Sequence, residues 1–68
     1  MHSKIKVSEI DFKQLIPNTK VRSLLSYVDG IIISQDFDNN ELEIQWTRGD
    51  ETTIVKRAHH QLNSVVLA

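Results

Sequence analysis

His2, His59 and His60 are the first residues whose type invites metal or acid–base chemistry. Neighbouring residues on an extended or 3₁₀ segment point their side chains apart. No cysteine or suitably spaced third ligand accompanies the His59-His60 pair. A transition-metal site wants three or four converging ligands, so no metal and no cofactor is expected, and the histidines read as surface groups near a turn. Serine, histidine and aspartate are all present, but the chain has no nucleophile elbow, no glycine-rich phosphate loop and no HExxH pattern. A small β-domain also offers little concave volume, whereas substrate pockets take on the order of a few hundred Å³. The expectation is a protein that is not an enzyme.

Charge gives a different lead. Lys4, Lys6, Lys13, Lys20 and Arg22 face only Glu9 and Asp11 in the first third of the chain. The middle carries Arg48 against Asp29, Asp36, Asp38, Glu41, Glu43, Asp50 and Glu51. The last stretch has Lys56 and Arg57 and no acid. The formal net charge of −1 excludes a uniformly basic polyanion binder. A fold that sets the first and last strands side by side would gather Lys20, Arg22, Lys56 and Arg57 on one face, opposite an acidic hairpin. Such a patch predicts salt-sensitive nucleic-acid binding. The alternative is a solvated surface of mixed sign that keeps a small protein soluble.

The elements that must position these groups are short. At 68 residues, 40% hydrophobic and 25% charged, the chain is one ordinary globular domain without a disulfide framework. No apolar run approaches a signal-peptide core or the roughly 20 residues of a membrane span, so a cytoplasmic protein with no membrane partner is expected. Turn chemistry falls at Pro17-Asn18, Asp29-Gly30, Asp38-Asn39-Asn40 and Arg48-Gly49-Asp50. Residues 41–46 alternate strictly, with Leu42, Ile44 and Trp46 on one face, which predicts a strand. Residues 19–25, 31–37, 52–56 and 63–67 read as further strands, with Ile31, Ile33 and Phe37 sharing a face that Gln35 interrupts. Residues 57–62 suit a single 3₁₀ turn. Residues 8–15 read as a short helical turn in which Ser8 and Asp11 resemble a capping box. The predicted core is Val21, Leu25, Ile31, Ile33, Leu42, Ile44, Trp46, Ile54, Leu62 and Val65.

Five short strands with one turn before the last describe a small all-β, SH3-like barrel over residues 19–67, preceded by an irregular or helical lead over 1–18. Residues 27–65 resemble Tudor-type SH3-like domains, and more loosely the small barrels with KOW motifs. The resemblance rests on Tyr27, Gly30, Asp36-Phe37, the Leu42–Ile44–Trp46 alternation, Gly49 and Leu62. It implies an aromatic cage for a methylated cation, with Tyr27 and Trp46 at two of its positions. Ile31, Ile32 and Arg48 stand where further rings are expected, and a cation at 48 repels a cationic ligand. Against that stands the reading in which Trp46, in phase with Leu42 and Ile44, is a core residue and Tyr27 a loop residue packing over the end of the barrel. The functional expectation is a non-catalytic module that contacts nucleic acid, or a protein associated with it, through Lys20, Arg22, Lys56 and Arg57. The alternative is a Tudor-like or SH3-like protein–protein adaptor that uses Tyr27 and Trp46, as a monomer or as a homodimer paired through Val65-Val66-Leu67-Ala68.

Overall fold

The computed structural model describes residues 5–68, so His2 and Lys4 lie outside the described residues. The described residues are all-β apart from three 3₁₀ turns. Strands β1 (Lys20–Ser23), β2 (Asp29–Asp36), β3 (Glu41–Arg48), β4 (Glu51–Ala58) and β5 (Val65–Leu67) form one antiparallel sheet in the order β4-β3-β2-β1-β5. β4 and β5 stand at opposite ends of that order, so the sheet is not closed. The 3₁₀ turn His59–Gln61 joins them. None of the described helices is long and apolar enough to cross a membrane.

The hairpins are built by local chemistry. Gly49, at φ 60°, takes the left-handed conformation at the tip of the β3–β4 hairpin. Asn40 does the same at φ 56° after β2. There Asp36 accepts hydrogen bonds from the backbone N–H of Asp38 and Asn39 and from the Asn39 side chain, at 3.0–3.2 Å. Lys56 Nζ lies 3.0 Å from the same carboxylate. The Asn39 amide, then Lys56, hold Asp36 well below its ordinary carboxylate range, at about 2. Asp29-Gly30, expected as a turn, is instead the start of β2. The β1–β2 connection is residues 24–28, closed by the Tyr27 N–H on the Ser23 carbonyl and the Ser23 N–H on the Val28 carbonyl, both 2.9 Å.

That early closure removes Leu25 from the expected core. β1 ends at Ser23, and Leu25 is 83% exposed on the loop. β2 also runs in a different phase from the one expected. Gly30 and Ile32 face inward, opposite Trp46 and Ile44, and Ile31 faces out with Lys20. A bulge between Ile32 and Ser34 absorbs Ile33 and turns Gln35 inward opposite Leu42. The buried β2 residue is therefore Ile32, while Ile31 and Ile33 are half-buried. The Gln35 amide donates to the Phe12 carbonyl at 2.8 Å, tying the lead to the sheet. Ile54 is 54% exposed because its neighbours Thr53 and Val55 are the ones opposite Trp46 and Ile44.

Residues missing from the expected core come from the lead. It holds two 3₁₀ turns, Val7–Glu9 and Phe12–Gln14, and contributes Val7, Phe12 and Leu15 to the buried cluster. Ser8 lies inside the first turn and caps nothing; Asp11 caps the second by accepting from the Lys13 N–H. Val21, Leu42, Ile44, Leu62 and Val65 are buried as expected. Val66 is buried too, because Lys6 bridges to it and the Leu67 N–H bonds the Ile5 carbonyl at 3.2 Å. The outer edge of β5 is thus taken by the chain's own residues.

Two stability measurements check these assignments. Ile32→Ala is expected to cost about 2–5 kcal/mol in urea unfolding, and Ile31→Ala much less; the reverse order would contradict the bulge. Asp36 is ionised more readily when folded, so its contribution is complete above its ordinary value of 3.8 and is lost as pH falls from there toward about 2. Asp36→Asn should therefore flatten the loss of stability between those pH values.

Candidate binding groove

Trp46 sits where the inner face of β3 runs on beyond the core toward the β3–β4 hairpin. Leu42, Ile44, Trp46 and Arg48 follow one another along that face, and Glu51, Thr53, Val55 and Arg57 run beside them on β4. Across the sheet, Trp46 is opposite Gly30. A Cβ at Gly30 would lie 2.6 Å from Cε3 and 2.9 Å from Cζ3 of the indole, and 3.0 Å from Ile44 Cγ2. The ring packs on bare backbone, and only glycine leaves room for it. One part of Trp46 thus rests on the core, while another is open to solvent.

The open part lines a groove of about 540 Å³. Its apolar surface comes from Val28, Ile44, Val55, Leu62 and Val65, flanking the indole. Leu25 and Ser26 of the β1–β2 loop line it too, with Gln61 and Ser64, the two segments being joined by the Leu24 N–H on the Ser64 carbonyl at 2.7 Å. Arg48 and Arg57 stand on the β3–β4 side with Glu51 as the acid among them. Neither arginine has an ion-pair partner among the described residues. The volume falls within the range of ligand sites, roughly 300–1,000 Å³, and exceeds what the small size of the domain suggests. Hydroxyls, aliphatic groups and guanidinium groups equip it to grip an extended ligand. It offers no histidine to move a proton.

The expected basic residues do not gather. Lys20 and Arg22 point to the outer face of β1, three strands away from β4. Arg22 Nε is 2.9 Å from Asp29 Oδ1. Lys56 is on the outer face of β4, held 3.0 Å from Asp36 and 3.9 Å from Glu41, and these acids raise its pKa above the ordinary value, Asp36 most. Arg57, its sequence neighbour, points the opposite way into the groove.

Tyr27 and Trp46 are also parted. Trp46 lines the groove, whereas Tyr27 is 74% exposed on the loop and does not. Tyr27 has φ 55°, a conformation that costs a bulky residue energy. His60 is exposed; the ring of His59 packs against Phe12, with its Nε2 2.9 Å from the Val7 carbonyl. No cluster of three or more metal-ligating side chains occurs among the described residues. Sequence reasoning passed over Arg48 and Gly30 as groove residues. The signal was present, since Arg48 continues the alternation of Leu42, Ile44 and Trp46. No protein-family model matches the sequence, and no curated protein or solved structure matches it.

Gly30→Ala is expected to displace the indole and cost about 1–3 kcal/mol. It should also shift the tryptophan emission to the red as the ring leaves its seat. Unchanged emission and stability would contradict the packing.

Proposed function

We propose that the chain is a non-catalytic, cytoplasmic protein-interaction module that holds an extended segment of a partner in the Trp46 groove. The single observation that carries this is a partly exposed indole beside an aliphatic floor and two arginines without an ion pair among the described residues. That combination suits a peptide with an apolar side chain for the floor and carboxylates for Arg48 and Arg57. We read the sheet as an SH3-like barrel left open at the β4–β5 seam. The strand order and the 3₁₀ turn between the last two strands support that reading. A Tudor-type cage fits less well, since Trp46 has cations near it rather than further rings.

A second reading is single-stranded nucleic acid in the same groove, with a base on the indole and phosphates on Arg48 and Arg57. The aliphatic floor favours the peptide. On the outer face, Lys20 is the expected basic residue without an ion pair among the described residues.

Tryptophan emission follows both ligands at one site, because Trp46 is the sole tryptophan. A panel of short acidic peptides containing leucine or phenylalanine should perturb it saturably. Arg48→Glu should weaken the tightest binder by about tenfold or more while leaving unfolding unchanged. A response to oligothymidylate alone, steeply lost with salt, would replace the peptide reading with the nucleic-acid one. No response to either would overturn both.

A further inference from the structure

The outer edge of β4 has no partner strand among the described residues. Among the described residues β4 pairs only with β3, and it runs for eight residues without proline or bulge and with no segment paired to its outer edge. Its centre is Thr52-Thr53-Ile54-Val55, β-branched throughout and uncharged. Long unpaired edges are templates for strand addition. The opposite edge of the sheet is occupied by Ile5 and Lys6.

The phase of the bare edge follows from the pairing. The His59 N–H bonds the Asn40 carbonyl at 2.9 Å, in register with the β3–β4 ladder. In an antiparallel pair, bonding and non-bonding residues alternate. Arg57, Val55, Thr53 and Glu51 therefore bond β3, and the N–H and C=O groups of Thr52, Ile54 and Lys56 point outward.

We propose that β4 pairs with β4 of a second copy, antiparallel, about a two-fold axis through Ile54. A two-fold axis perpendicular to the sheet requires like faces to meet, so inner residues oppose inner ones. Centred on Ile54, this register sets Glu51 of each copy opposite Arg57 of the other. It sets Thr53 opposite Val55, and Thr52 opposite Lys56. The outward backbone groups of Thr52, Ile54 and Lys56 then bond one another. Glu51 and Arg57 fall on non-bonded positions, where side chains approach most closely. Glu51 and Arg57 stand at equal distances on either side of Ile54 with opposite charge, which favours self-pairing, and the one other charge, Lys56, meets neutral Thr52. The pairing also covers Ile54, an exposed large apolar side chain in the middle of an edge strand. Because Thr53, Val55 and Arg57 line the groove, the two Trp46 grooves meet across the axis; in the dimer Arg57 is taken by Glu51 of the second copy, so Arg57 serves a ligand in the monomer and Arg48 alone does so in the dimer.

Edge pairing covers less than the ~1,600 Å² of a standard interface, so the dimer is weak and forms in the micromolar-to-millimolar range. Sedimentation equilibrium over a concentration series should show the mass rising from 7.8 kDa toward twice that. Amide exchange should show protection of Thr52, Ile54 and Lys56 appearing with concentration, while Thr53, Val55 and Arg57 are protected at every concentration. Ile54→Lys changes an exposed side chain, so the fold persists, and it should abolish the rise in mass. Glu51→Arg should weaken association, and the exchange Glu51→Arg with Arg57→Glu should restore it. A monomer up to about 1 mM, a dimer that Ile54→Lys leaves intact, or an exchanged pair that fails to restore association would overturn the proposal.

Discussion

The absence of a Cβ at residue 30 is the constraint on which the groove depends. Any other residue there would place a carbon 2.6 Å from the Trp46 ring. The indole would have to swing away, and the floor formed with Ile44 and Val55 would lose its aromatic side. Glycine weakens a strand, because it brings no side chain to pack and costs more backbone entropy. Here the opposing indole supplies the missing packing, so the cost in β2 is offset by a contact from β3. The indole is thus seated by a cross-strand pair rather than by a loop.

The bulge at Ile33 governs the other half of the inner face. Without it, Gln35 would point to solvent and could not reach the Phe12 carbonyl. With it, the lead is held over the Leu42 end of the sheet, and Phe12 and Leu15 fill space that an open sheet leaves exposed. Phe12 makes edge-on contacts there with Phe37 and His59, at 5.0 and 5.5 Å between centroids. The concave face is thereby divided. The lead plugs the end nearer the β2–β3 hairpin, and the end nearer the β3–β4 hairpin stays open as the groove.

Much of the fold is legible in the sequence because its signals are local. Strict alternation over residues 41–46 and the asparagines and glycine at the hairpins specify β2–β3–β4 without tertiary information. The 3₁₀ turn before β5 is equally local. The phase of β2 is not, since Ile31, Ile32 and Ile33 present three equivalent side chains, and the bulge that selects Ile32 is decided by pairing with β3. Leu25 and Ile54 look like core residues by type and are exposed for reasons of strand length and register. The clustering of Lys20, Arg22, Lys56 and Arg57 needed a particular arrangement of strands, and Lys56 and Arg57 are parted by simple alternation. At the site, Trp46 is visible from its type and phase. Its dependence on Gly30 appears only once the two strands are paired.

A nuclear Overhauser spectrum of the uniformly labelled protein tests the seat of the indole most directly. Strong cross-peaks from the Gly30 α-protons to Hε3 and Hζ3 of Trp46, with ring-current-shifted glycine resonances, are the expected result. Gly30 α-protons at unshifted positions, with no contact to the indole, would contradict the account, and the groove built on that contact would have no aromatic wall.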